Sequence, residues 1–256
     1  MKNSLRLSAF LGVVLVFGGP LFFFDAARAD TVAFLVDYSL WADVLAKHVN
    51  AQGRFDYEGL MKDPARFNQF ISQIENANLS QLGPDEKKAF WINAYNALTV
   101  KVIVDNYPVK SILRINFGLV WKIGRAAAGG KKSLGDIEHK VLRPLGDPRI
   151  HFAINCASIG CPKLSDKPYY PRTLDEQLDQ AARQFINDPE KVIIDRQKNI
   201  LFHSAIFKWF EKDFLKAAPD LSGYIRHYLN DTDKAYLDSS RPELRELDYD
   251  WGLNRQ

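Results

Sequence analysis

The sequence predicts an α+β domain, rich in helices, with a small and mostly antiparallel sheet. Apolar residues recur at helical spacing through most of the chain, and the strand-like runs are short. Those runs do not alternate strictly with helices, which argues against a doubly wound parallel sheet. Tyr38 to Val49 sets Leu40, Trp41, Val44, Leu45 and His48 on one helical stripe, and Pro64 to Asn76 does so with Phe67, Phe70, Ile71 and Ile74. A third helix opens at Gly83-Pro84-Asp85-Glu86, where proline and acids suit a first turn, and stops before Pro108. Gly118 to Arg125 reads as a strand; Ser133, with Asp136 three residues on, opens a helix through Glu138, His139 and Leu142. Ile150 to Ile154 reads as a further strand. Thr173 and Glu176 form a capping-box pattern for a helix to Asn187, VIID and ILF flank a DRQKN turn as a hairpin, and helices follow over Ile206 to Leu215 and Leu221 to Leu229.

Lys2 and Arg6 precede an apolar run from Leu7 to Phe24, and Ala27-Arg28-Ala29 fits a small-x-small cleavage rule. The sequence therefore predicts a signal peptide over residues 1–29, a single domain over 30–256, and a periplasmic or secreted product. An uncleaved anchor is the competing reading, because about 18 apolar residues can just span a bilayer; after cleavage no stable membrane span is expected. Cleavage removes Lys2, Arg6, Arg28 and Asp25, so the formal net charge of +3 falls to about +1. That balance gives no warrant for a nucleic-acid partner, which calls for a concentrated basic face.

The segment Arg149 to Pro162, RIHFAINCASIGCP, holds both cysteines, Cys156 and Cys161, and one of the five histidines. In an oxidising compartment two lone cysteines five residues apart can close a disulfide. A nucleophilic thiolate at either position, or a reducible redox pair, is the alternative, and CxxxxC spacing does not choose among them. His139 is the best partner for a thiolate, with Glu138 or Asp136 holding its tautomer. Read in a strand, His151 sits an odd number of residues from Cys156 and so on the opposite face, which makes it the weaker base. No histidine pairing or cysteine spacing supports a metal site, and no cofactor motif is present. Asn93 and Asn96 share one face of the third helix among Phe90, Trp91, Tyr95 and Leu98. Their amides either cap a neighbouring loop or bind a reacting carbonyl.

The ordered strings GRFDYEGL, FWINAYNALTV, SLGDIEHKVLR, DPRIHFAINCASIGCP, IFKWFEKDF and YDW resemble the bacterial domain-of-unknown-function family numbered 547, over roughly residues 40–255. The resemblance implies an often exported domain without an assigned activity, and a distant likeness to papain-like or transglutaminase-like cysteine hydrolases. Two functions follow as expectations. In one, Cys156 or Cys161 attacks an acyl or amide carbon, His139 takes the thiol proton, Glu138 or Asp136 orients it, and Asn93 or Asn96 helps bind the oxyanion. In the other, a Cys156–Cys161 disulfide fixes the loop of a non-enzymatic module that binds an envelope peptide, glycan or small molecule.

Overall fold

Asp37 starts the first helix by accepting the Ser39 N–H at 2.9 Å, and α1 (Tyr38–His48) buries Leu40, Trp41, Val44 and Leu45. The computed structural model describes residues 36–256, so the predicted signal peptide lies outside the described residues. A β-bridge from Val49 to Phe55 turns the chain through Gly53 into α2 (Tyr57–Lys62), whose N-terminus is capped by Asp56. The backbone at Gly53 has φ +71°, and an added Cβ would meet Lys163 Cα at 2.7 Å, so only glycine lets this turn approach the segment after the cysteine loop.

The amphipathic α3 (Ala65–Asn76) packs on α1, with Trp41 stacked on Phe70. It leads to α4 (Pro84–Val104), where Glu86 accepts the Gly83 N–H at 2.6 Å. Every residue of α4 from Ala89 to Val100 is buried, so this helix is the axis of the larger hydrophobic core rather than a one-sided surface helix.

Of the expected strand at Gly118–Arg125, residues up to Lys122 instead close the tight helical turns over Ile112–Lys122, interrupted by left-handed Asn116, Phe117 and Gly118, and only Arg125 enters a strand. Leu119, Val120 and Trp121 form a short apolar run, which periodicity alone does not assign to a strand or a helix. A small hairpin follows, β1 (Arg125–Ala127) against β2 (Gly130–Lys132). Ser133 and Asp136 form the expected capping box of α5 (Leu134–Asp136), which widens into a π-helical turn over Ile137–Leu142.

Ile150–Ile154 is the second correction. It forms α6 (Ile150–Ala153), started by the turn at Asp147-Pro148, with His151 N–H on the Pro148 carbonyl and Ile154 N–H on the Ile150 carbonyl. All four residues of α6 are buried, so no exposed face marked the period. The cysteine loop leads to α7 (Leu174–Ile186), whose Thr173 hydroxyl turns to Gln177 and does not form the expected cap.

The hairpin is as expected: β3 (Val192–Asp195) pairs antiparallel with β4 (Ile200–Ser204), Val192 opposite His203 and Asp195 opposite Ile200. The expected single helix over 206–215 is broken at Phe210 into α8 (Ala205–Trp209) and α9 (Glu211–Phe214). After α10 (Leu221–Tyr228) come α11 (Asp231–Ser240) and β5 (Glu243–Leu247), which joins β4 in parallel, Ile200 opposite Glu243, and makes the three-stranded sheet mixed. Phe152, Phe207, Phe214 and Ile225 centre a second hydrophobic cluster between α6, α7 and this sheet. The molecule is a helix-rich α+β domain, and among the described residues no helix is long and apolar enough to cross a membrane.

Candidate functional site

Asn155 pins the entry to the cysteine loop. Its N–H donates to Asn96 Oδ1 at 2.8 Å, its amide donates to the Pro162 carbonyl at 2.7 Å, and its Oδ1 accepts the Ala157 N–H at 2.7 Å. Those bonds hold Ala157 at φ +61°, a left-handed conformation that an L-alanine adopts only under constraint. The far side of the loop is held by the C-terminal segment: Ile159 N–H donates to Gly252 and Gly160 N–H to Asp250, each at 2.8 Å. Gly160 lies so close to Tyr249 that an added Cβ would sit 2.8 Å from its ring.

Within this frame Cys156 and Cys161 form a disulfide, and the Cys156 N–H points at Cys161 Sγ at 2.9 Å. The Tyr249 hydroxyl lies 3.2 Å from each sulfur and 2.8 Å from Ser158 Oγ. Cys161 is buried, whereas Cys156 is half-buried.

The two sulfurs line a cleft of about 210 Å³ together with Glu138, His139 and His151. Its walls are aromatic: Tyr95, Trp121, Trp209, Phe210, Tyr249 and Trp251. Trp209 stacks on Trp251 with centroids 5.6 Å apart, and Tyr249 sits 4.6 Å from Trp251.

The hydrogen bonds at the imidazoles differ from the sequence expectation. Asp136 is taken up by Ser133 and Lys140, and Glu138 faces the Tyr95 hydroxyl at 3.5 Å, so neither acid holds His139. What meets His139 Nδ1, at 3.2 Å, is Arg143 Nη1. A guanidinium only donates, so Nδ1 is the acceptor and the neutral ring carries its proton on Nε2. Partial burial and the Arg143 charge both lower the His139 pKa, which favours that neutral ring.

Arg143 Nε in turn donates to Asp213 Oδ2 at 2.6 Å, and the same oxygen lies 3.0 Å from His151 Nε2. Burial raises the Asp213 carboxyl, but the bonds from Arg143 and His151 outweigh it and bring it down to about 2. An ionised Asp213 fixes the proton of His151 on Nε2. His151 Nδ1 is then a buried acceptor, and it has no partner among the described residues. Burial pushes the His151 pKa down to about 4 against the pull of Asp213, and its ring stacks on Phe210 at 3.9 Å. With α6 a helix, the strand-parity argument against His151 no longer applies.

Glu138 is 7% exposed, and burial raises its carboxyl to about 7 against the lowering effect of Arg143. The cleft therefore holds a carboxyl that is half protonated near neutrality.

Asn93 and Asn96 stand behind the cleft and do not line it. Asn93 exchanges two bonds with the Tyr169 backbone, at 2.8 and 3.0 Å, and Asn96 bridges the Ala153 carbonyl and the Asn155 N–H. Both amides are spent on backbone, one of them on the loop that carries the sulfurs. Asp213, Trp209, Tyr249 and Trp251 were not singled out from sequence; the available signal was an aspartate inside the aromatic string KWFEKDF. Among the described residues no cluster of His, Cys, Asp or Glu could hold a metal ion.

No curated protein and no solved structure matches the chain. A family model described as Protein of unknown function, DUF547, matches residues 79–186, a span that takes in α4, the IEH turn, the cysteine loop and α7. Over that span the chain is similar to the domain-of-unknown-function family 547.

Proposed function

We propose that this protein is an exported thiol-dependent enzyme of acyl or amide transfer, held latent by its Cys156–Cys161 disulfide. The observation that carries the reading is a single cleft lined by Cys156, Cys161 and a His151 whose buried Nδ1 has no partner among the described residues. A reducing dithiol gives up two electrons and two protons to the bridge and itself becomes a disulfide, leaving two thiols. His151 Nδ1 takes the proton of Cys156, the more exposed of the two, and the thiolate attacks the carbonyl carbon. His151 returns the proton to the departing amine or alcohol, and water or a second nucleophile then releases the thioester. Asp213 keeps His151 in the accepting tautomer, and His139, whose Nε2–H is free to donate, stabilises the oxyanion.

The test is thiol alkylation by iodoacetamide after reduction, followed across pH, with turnover of fluorogenic acyl esters and amides in parallel. Cys156 should react with a depressed apparent pKa, and His151→Gln should slow turnover about 10²-fold or more. Two thiols of ordinary reactivity and no turnover in the reduced protein would overturn the enzyme.

A second reading, a binding module with a permanent disulfide, is favoured by the aromatic walls. The Trp209, Tyr249 and Trp251 rings form a stacking surface suited to a sugar ring or an aromatic peptide side chain. Tryptophan fluorescence titrated with oligosaccharides and peptides checks it. Binding that is equal before and after reduction supports the module; binding only after reduction counts against it.

A further inference from the structure

Between Asp105 and Asp136 the chain contains no acidic residue and six basic ones, Lys110, Arg114, Lys122, Arg125, Lys131 and Lys132. The whole chain carries a formal net charge of only +3, so this concentration is local. Lys110, Arg114, Lys122 and Lys131 are exposed, and none of them forms an ion pair among the described residues.

The same stretch presents apolar side chains to solvent. Phe117 is 102% exposed, Leu119 51% and Leu113 37%, all within seven residues of one loop. The loop is built to do so. Asn116, Phe117 and Gly118 adopt φ of +48°, +54° and +79° in succession. A bulky aromatic residue rarely enters the left-handed region, and here it does so without gaining any packing for its ring. Its flanks, Ile112, Ile115 and Val120, are buried, so the tip stands on a fixed base.

We propose that the Leu113–Lys122 loop is a peripheral docking surface for an anionic phospholipid bilayer. The three apolar side chains enter the headgroup and acyl boundary, and Lys110, Arg114 and Lys122 pair with lipid phosphates. Apolar tips flanked by unpaired bases match that surface in both respects, since an anionic leaflet attracts the bases and the boundary below it takes up the apolar groups. Trp121, which follows the tip, lines the aromatic cleft, so docking would hold that cleft beside the membrane surface.

The experiment uses the full chain with vesicles of phosphatidylglycerol and phosphatidylcholine, and with phosphatidylcholine alone. Hydrogen–deuterium exchange is read on peptides covering residues 109–125, a readout local to the loop and separate from the apolar run at 7–24. Exchange should slow only on the anionic vesicles and recover as salt is raised. Phe117→Asp should weaken the protection at least tenfold in lipid concentration, and the combined Lys110→Glu, Arg114→Glu and Lys122→Glu variant should abolish the preference for phosphatidylglycerol. Unchanged exchange in the loop, or protection as strong in Phe117→Asp as in the parent, overturns the proposal. Protection that needs no vesicles and rises with protein concentration also overturns it, in favour of a second copy of the chain.

Discussion

Asp213 Oδ2 receives Arg143 Nε at 2.6 Å and His151 Nε2 at 3.0 Å, so one carboxylate oxygen joins the π-helical turn that carries His139 to the helix that carries His151. Asp213→Ala would leave a half-buried guanidinium without its counter-charge and a buried imidazole without its orienting partner. The expected loss is about 2–4 kcal/mol of stability, measured by urea unfolding. Asp213 is depressed to about 2 from an ordinary 3.8, so its stabilisation is complete above pH 3.8 and is lost as pH falls through 2. Asp213→Asn should remove that acid-side dependence.

Glu138 acts with the opposite sign. Its folded-state carboxyl titrates near 7 instead of 4.5, so between those values the unfolded chain releases a proton that the folded protein keeps. Stability should therefore fall as pH rises from 4.5 to 7, by up to about 3 kcal/mol. Glu138→Gln, which keeps the shape without the charge, should flatten the curve across that window; an unchanged slope would count against the buried-acid account.

Asn96→Ala leaves the Ala153 carbonyl and the Asn155 N–H without their partner. The expected cost is about 2–3 kcal/mol, together with faster reduction of the Cys156–Cys161 bridge by a fixed concentration of dithiol. Asn93→Ala should cost a similar amount through Tyr169 but leave the reduction rate near its original value, because its bonds do not touch the cysteine loop.

Gly160→Ala places a methyl group 2.8 Å from the Tyr249 ring. The ring or the loop must shift, at a cost of about 1–3 kcal/mol. Displacement should also be visible as a changed near-ultraviolet circular dichroism signal from Tyr249 and the adjacent tryptophans.

Reduction alone should be tolerated. A bridge between residues five apart closes a short loop, so its loss costs about 2 kcal/mol by loop entropy. That corresponds to a fall in Tm of about 4–8 °C for a domain of this size, measured by calorimetry with and without reductant. A collapse of the fold on reduction would sink the latent-enzyme reading, since the thiol form must be a folded one.

The helices were legible wherever one face met water. α1, α3 and α7 carry an exposed polar stripe that marks the period, and Ser133–Asp136 marks a start through its own side-chain chemistry. α6 is buried on all sides, so its four residues carry no period, and reading it as a strand sent His151 to the wrong face. The break at Phe210 was also silent, because nothing in AIFKWFEKDF names the position at which α8 ends. The cysteine loop, His139 and Glu138 could be named from residue chemistry alone. Asp213, Tyr249 and Trp251 sit in the strings IFKWFEKDF and YDW, but nothing in those strings says that they reach the cleft, which depends on tertiary placement from far along the chain.

Tyr249 follows Cys161 by 88 residues, and the last residues also bond back to Tyr57 and Asn155 through Asn254. During synthesis both thiols are therefore translated long before the phenol that covers them and the C-terminal segment that braces their loop. An oxidant acting on the growing polypeptide meets bare sulfurs, whereas one acting on the finished molecule meets a shielded pair, so the timing of thiol pairing is written into the order of the chain.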